Sequence, residues 1–381
     1  VDMDNKGLAG LEKSLDARLS AGEDITLSID AGVQAVVARE IARQMEVFEA
    51  IGGAGVMLDI HSGEVVAMVS LPDYNPNHFA AIEDDARFNR ATLGLYEMGS
   101  TFKVLNTAIA LESGATTTSS YYEVSKPLRF GRFSVWDYHM YDRDLSVPEI
   151  LVLSSNIGSA RMAADIGAER QQFYLRQLGL FDKVSLEIPE MANPLVPGTW
   201  RSTSIATVSY GHGISVTPLH LASSVAAASG SGTMVEPTLM HRGGAPAPMG
   251  ERLFSEETTK AVRSMMRLVV SHPDGTGNFA EAKGYMVGGK TGTSEKINPD
   301  GGYFKDKNIA SFAATFPVHD PRYVLVVMVD EPKGQKHSYG YATGGWVAAP
   351  AAKRIIEHAA PLLGILPVDE NSPEIRQKLR L

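Results

Sequence analysis

Apolar and polar positions are unevenly distributed along this chain. Residues 1–24 are polar and Gly-containing, with one short helical candidate at 11–19. Too few apolar positions recur there for a core of their own. From Asp24 the pattern thickens. Residues 25–29 alternate as a strand does, and Asp30 is a fitting N-cap for the helix that follows. Val33, Val36, Val37, Ile41, Met45 and Phe48 recur at helical spacing. Two apolar runs, 55–60 and 64–69, are joined by His61-Ser62-Gly63, a hairpin signature. A similar pair, 309–316 and 322–330, is linked by 317–321. The stretch from about 100 to 275 is mostly helical in pattern, and the chain closes with a helix over 346–363. Strands at both ends with helices between them predict one sheet assembled from distant segments. That is an α+β or α/β/α layered domain, not two in tandem.

Composition narrows the chemistry. The 381 residues include 35 Lys and Arg against 44 Asp and Glu, a formal charge of −9, and no basic block. Such a chain is a poor partner for a phosphate backbone, so nucleic acid is not expected. With no cysteine, disulfides, thiolate catalysis and cysteine-ligated metals are ruled out. The ten histidines include no H-E-x-x-H or comparable pair, and neither metal nor cofactor is expected. No apolar run reaches the ~18 to 20 residues that span a bilayer. The chain starts at Val1 without an initiator methionine, which suggests a trimmed product.

Residues 284–291 match the phosphate-loop pattern G-x-x-x-x-G-K-[ST] to the letter. That loop needs a buried strand before it and a helix after it. Here the lead-in 279–283 is too polar for a central strand. The sequel, with Asn298-Pro299-Asp300-Gly301-Gly302, cannot be a helix. The match is accidental, and Lys290-Thr291-Gly292-Thr293 reads better as the end of a strand that starts near Met286.

Two other short patterns occur once each, Ser100-Thr101-Phe102-Lys103 and Ser154-Ser155-Asn156. Ser100 opens an apolar helical pattern, where unpaired N–H groups favour developing negative charge. Lys103 lies one turn on, on the same face. A serine hydroxyl needs a base, and lysine is one only when burial or another cation lowers its pKa. Lys290 supplies that cation if its strand runs beside this helix. Ser154 and Asn156 fall in a short loop before the helical run 157–166. A second hydroxyl there can relay a proton to a leaving amine, and an amide can hold a substrate peptide group. Thr291, Gly292 and Thr293 offer hydroxyls and a strand edge to a substrate that carries a carboxylate. Taken singly, each motif reads equally as a helix cap or a solvated lysine. Together they describe a serine acyl-transfer site.

Ser-x-x-Lys, Ser-x-Asn and Lys-Thr-Gly in that order resemble the signature of penicillin-binding proteins and serine β-lactamases. The likeness extends to Asn89-Arg90-Ala91 and to Tyr96-Glu97-Met98-Gly99 before Ser100, with Met98 where Pro is commoner. Leu27-Ser28-Ile29-Asp30, Ser62-Gly63-Glu64-Val65-Val66-Ala67-Met68 and the segment 210–219 resemble class B members as well. Residues 5–13 resemble the end of their N-terminal pedestal. Ser154-Ser155-Asn156 favours the division-type, FtsI-like enzymes over the elongation type.

The resemblance implies a five-stranded, mainly antiparallel sheet between helices, plus a helical lobe. It divides the chain into a pedestal remnant (1–24), a transpeptidase domain (25–365) and a tail (366–381). It implies a peptidoglycan D,D-transpeptidase inhibited by β-lactams and acting on stem peptides that end in D-Ala-D-Ala. Ser100, Lys103, Ser154, Asn156 and Lys290 are the implied catalytic residues. Ser155, Thr291, Gly292 and Thr293 are the implied substrate contacts, with the N–H groups of Ser100 and Thr293 as the oxyanion hole. Tyr339, Tyr341 and Trp346 are expected to supply an aromatic wall. The parent protein is expected at the periplasmic face of the inner membrane, meeting a membrane glycosyltransferase and division proteins through missing N-terminal parts. Two other functions compete. A β-lactamase needs a base for water, and Glu190 lacks the usual Glu-x-x-Leu-Asn setting. A penicillin sensor or silent division scaffold would keep all three motifs. Lys103 is expected to be buried and neutral, Lys290 to stay cationic.

Overall fold

The computed structural model describes residues 6–75, 83–131, 133–248 and 250–380. Asn5, which opens the stretch resembling a pedestal, lies outside the described residues. The single helix expected over 11–19 is two, α1 (Gly10–Ser14) and α2 (Asp16–Ser20), because the backbone leaves the helical region at Leu15. Neither buries a residue, and Gly10 N–H donates to the Glu190 carboxylate at 3.1 Å, tying the segment to the body. The strand expected at 25–29 shrinks to an isolated bridge between Leu27 and Met240. Only Ser28 and Thr26 exchange backbone hydrogen bonds with the 239–241 segment, too few for a ladder.

Helix α3 (Ala31–Val47) starts on Asp30, whose carboxylate accepts the Val33 N–H at 2.9 Å. β1 (Gly52–Asp59) and β2 (Val65–Leu71) form the expected hairpin, and Gly63 takes φ +72° in its turn. After the short α4 (Asp84–Arg87) and a 3-10 turn at Gly99–Thr101 comes α5 (Phe102–Glu112). The helical stretch that follows holds two small ribbons. One pairs β3 (Tyr121–Tyr122) with β6 (Leu145–Ser146), the other β4 (Leu128–Phe130) with β5 (Phe133–Val135). Its helices are α6 (Val147–Val152), α7 (Asn156–Ile166), α8 (Ala168–Gln177) and α9 (Ser202–Val208). Then come α10 (Pro218–Ser229) and α11 (Glu256–Ser271), and the strands β7 (Gly288–Ile297), β8 (Tyr303–Phe316) and β9 (Tyr323–Asp330).

The sheet runs β2-β1-β9-β8-β7 with every neighbouring pair antiparallel. Successive side chains on a strand point to opposite faces, and β9 shows both faces covered. Val324, Val326 and Met328 join the core built on α5, α10 and α11. Leu325 and Val327 pack with α3 and α12 (Ala348–Leu362) on the other side. β2 and β7 are the edge strands of this sheet. β7 does not end at Thr293 as expected but runs to Ile297, because β8 begins early enough for Tyr303 to pair with it. The C-terminal stretch 366–381 is also more than a tail. It forms α13 (Pro373–Lys378), whose Ile375 packs with Met286 and Val318, and Glu370 accepts from Gly284 N–H at 2.7 Å.

Central burial makes a quantitative expectation. Leu325→Ala should cost about 2–5 kcal/mol of stability, because it opens a cavity in a strand covered on both sides. Leu366→Ala, at a position 80% exposed, should change it by less than about 0.5 kcal/mol. Urea unfolding midpoints of the two variants check this.

Candidate active site

Three backbone pieces meet at one point. The 3-10 turn at Gly99–Thr101 presents Ser100 at the head of α5, the turn between α6 and α7 presents Ser154, and β7 runs alongside. Gly99, at φ +56°, permits the approach to β7: a Cβ there would stand 2.7 Å from the Thr293 carbonyl oxygen and 3.3 Å from its nitrogen. The backbones of Ser100 and Thr293 are therefore neighbours, as an oxyanion hole between them requires. Ser154 adopts φ +62°, unusual for a side-chain-bearing residue.

Lys103 is fully buried, and its Nζ lies close to four oxygens. The Ser154 carbonyl is at 2.6 Å and the Asn156 Oδ1 at 2.7 Å, while the Ser100 and Ser154 hydroxyl oxygens are each at 3.0 Å. The carbonyl and the amide oxygen can only accept. A neutral amine has two N–H bonds for those two and one lone pair left for the hydroxyls. The arrangement matches a base poised between Ser100 and Ser154. Burial drives the Lys103 pKa down to about 7, against a smaller upward pull from Asp137.

Lys290 departs from expectation. It is as buried as Lys103, forms no ion pair among the described residues, and reaches only Thr291 O at 3.2 Å and the Thr276 and Thr291 hydroxyls at 3.4 Å. Burial, and then the charge of Lys103, hold it well below the ordinary lysine range. Lys290 was expected to be cationic, and no ion pair among the described residues offsets its loss of water, so its amine holds a proton less readily than an ordinary lysine does.

A cleft of about 690 Å³ opens over these groups, lined by Ser100, Ser154, Asn156, Thr291 and Thr293. Ser155 and Gly292 do not line it. Ser155 is buried as the N-cap of α7, donating to Asp137 Oδ2 at 2.6 Å. Gly292 is where β7 passes the 3-10 turn, and a Cβ there would stand 2.4 Å from the Met98 carbonyl oxygen. Of the four positions read as substrate contacts, Ser155 and Gly292 thus take packing roles in the free protein, while Thr291 and Thr293 line the cleft. The aromatic wall is Trp346 with Tyr341 stacked at 6.5 Å and Phe279 at 4.9 Å. Tyr339 is 81% exposed and touches Trp346 edge-on from outside the cleft. Sequence reasoning missed Asp137, Tyr138 and Thr276, which lie in irregular segments, and Phe279, in a single 3-10 turn (Asn278–Ala280). The glycines flanking Thr276 were the one available signal.

Glu190 does not serve the cleft, being bound to Gly10 N–H. Asp137 is the one carboxylate lining it among the described residues. His212, in the turn after α9, has its Nδ1 3.3 Å from the buried Glu97 carboxylate. Burial and the charge of Lys103 bring its pKa down to about 4, so it is neutral at pH 7. Among the described residues no group of three His, Asp or Glu side chains could hold a metal ion.

Comparison with known proteins supplies an independent frame. Residues 53–357 match the model of the penicillin binding protein transpeptidase domain. The chain is 41% identical over 376 residues to the probable peptidoglycan D,D-transpeptidase FtsI of Caulobacter vibrioides, covering 96% of this chain and 64% of that one. It is 32% identical over 395 residues to FtsI of Escherichia coli K12, covering 96% and 65%. The chain thus spans about two thirds of the length of these curated relatives. In structure it resembles the apo transpeptidase domain of Burkholderia pseudomallei penicillin-binding protein 3, with a TM-score of 0.80, 30% identity, and coverage of 91% of this chain and 98% of that one.

The Lys103 environment sets a pH dependence. The amine is a base only when unprotonated, so acylation of Ser100 should be slow below pH 6 and rise with pH through about 7. Stopped-flow acylation rates from pH 5 to 9 check this, and Lys103→Arg should be inactive throughout.

Proposed function

The chain belongs to the penicillin-binding protein transpeptidase domain family, and from that premise we propose that it cross-links peptidoglycan stem peptides through a Ser100 acyl-enzyme. The observation that carries the reading is the Lys103 amine, shared at 3.0 Å between the Ser100 and Ser154 hydroxyls. Ser100 Oγ attacks the carbonyl of the penultimate D-Ala, and its proton passes to the Lys103 lone pair. The negative oxygen that forms sits between the N–H groups of Ser100 and Thr293. Collapse breaks the peptide bond, and Ser154 hands the terminal D-Ala amine the proton stored on Lys103. An amine of a neighbouring stem then attacks the ester, and the same groups run in reverse to release Ser100.

Docking of the donor as an added strand on the free edge of β7 presents its terminal carboxylate to the Thr291 and Thr293 hydroxyls. That carboxylate supplies the negative charge missing around Lys290, so substrate binding favours its protonated form. Asn156 holds the substrate amide through the second Nδ2 hydrogen, the one its bond to the Trp136 carbonyl does not use. The division-type relatives support a septal setting, with the catalytic domain outside the inner membrane and a glycosyltransferase as partner. No helix of the described residues is long and apolar enough to cross a membrane. The boundaries 1–24, 25–365 and 366–381 are part of this reading, with the last segment packed on the domain.

A β-lactamase needs a carboxylate free to activate water. Asp137 already accepts three hydrogen bonds and Glu190 is elsewhere, which favours a persistent adduct. Intact-mass spectrometry after incubation with benzylpenicillin should show one drug added to the native chain and none to Ser100→Ala. The adduct should outlast an hour. A Ser100→Ala protein that still gains the drug mass would refute the nucleophile, and loss of the adduct within seconds would favour the β-lactamase.

A further inference from the structure

Asp137 sits in the loop after β5, 8% exposed, with its rim on the cleft. Its Oδ1 accepts the N–H groups of Asn156 at 2.5 Å and Ile157 at 2.9 Å, and its Oδ2 accepts the Ser155 hydroxyl. The donors are the first two backbone N–H groups of α7, which are otherwise unpartnered, and the hydroxyl of its N-cap. The neighbouring Trp136 carbonyl accepts from Asn156 Nδ2 at 3.0 Å. Loop 136–137 therefore grips Asn156 by its backbone nitrogen and by its amide nitrogen. With Nδ2 committed to Trp136, the amide oxygen is the atom turned to Lys103. Ser154, one residue before this anchored turn, is held at positive φ with both its carbonyl and its hydroxyl on the same lysine.

We propose that Asp137 is a positioning residue for acyl transfer: by clamping the start of α7 it holds Ser154 and Asn156 where they aim the Lys103 amine at Ser100. The inference rests on the serine acyl-transfer reading and deepens it. Asp137 touches neither Ser100 nor Lys103. It acts through the α6–α7 turn and, at longer range, through its charge. The groups that face Lys103 electrostatically are Asp137 from the lobe loop, Lys290 from β7 and His212 from the turn after α9. Tyr141 feels Asp137 and Asp274 from the outer side of the same loop. Asp137 is the one negative member of the set around Lys103, so it opposes the fall in Lys103 basicity that burial causes.

The test separates a clamp from a merely structural residue. Asp137→Asn keeps the size and one acceptor oxygen but removes the charge. Its plateau acylation rate with a fluorescent penicillin should fall by ~100-fold, as misplaced catalytic groups do. The inflection of its pH profile should move to lower pH by about 0.5–1 unit, because the negative charge that favours protonated Lys103 is gone. Ser155→Ala retains the charge and loses one bond, so its plateau should fall by ~10-fold with the inflection unmoved. An Asp137→Asn protein with native plateau and inflection would overturn the proposal, as would a lowered plateau with an unmoved inflection. Should Asp137→Asn not fold, a folded Ser155→Ala with a native plateau overturns it alone. Failure of the native protein to form a Ser100 adduct in the same assay would instead overturn the acyl-transfer reading.

Discussion

A lysine amine sealed away from water must satisfy its N–H groups on whatever oxygens the chain can bring to it. Lys103 is satisfied from two separate pieces of the fold, its own helix start and the turn between α6 and α7, 51 to 53 residues along the chain. That requirement couples the helical lobe to the sheet-bearing body. It demands a turn that puts a serine carbonyl, a serine hydroxyl and an amide oxygen within hydrogen-bond reach of one atom. Ser154 meets it by adopting positive φ, and the Asp137 bonds follow immediately to hold the next residues in helix. The chemistry and the local strain share one cause.

The second buried lysine shows the same physics with the opposite balance. Lys290 has only long contacts to threonine oxygens and a like-charged neighbour. An amine in that position is under-satisfied until an anion arrives. Among the described residues no carboxylate pairs with Lys290, which is the feature behind the proposal that a substrate carboxylate docks beside Thr291 and Thr293.

Close backbone approach is the remaining constraint. The 3-10 turn bearing Ser100 rests on β7 with no room for side chains at Gly99 or Gly292. β7 is in turn steadied from outside the sheet. Arg267 on α11 donates to Val287 O at 2.9 Å and pairs with Glu370, which also accepts from Gly284 N–H. The C-terminal segment, which reads as a polar tail, therefore braces the entry to the strand on which substrate is proposed to dock.

The sequence by itself determined the layered α+β class, the β1–β2 hairpin, the strands over 309–316 and 322–330, and α3 with its Asp30 cap. These follow from local periodicity and capping, which neighbouring residues alone encode. It also displayed Ser100, Lys103, Ser154, Asn156, Thr291 and Thr293, since their spacing carries the chemistry. Tertiary structure alone decided what depended on residues far apart in the chain. The 25–29 alternation lacked a partner strand long enough to pair with, so it became a bridge. Ser155 turned inward because Asp137, eighteen positions earlier, arrived beneath the α7 start. Lys290 became a weaker base than an ordinary lysine because burial is a property of the packed sheet, invisible in the Lys-Thr-Gly text. Tyr339 and Phe279 exchanged roles in the aromatic wall because the single 3-10 turns at Lys336–Ser338 and Asn278–Ala280 are too short for a period from which a facing side can be read.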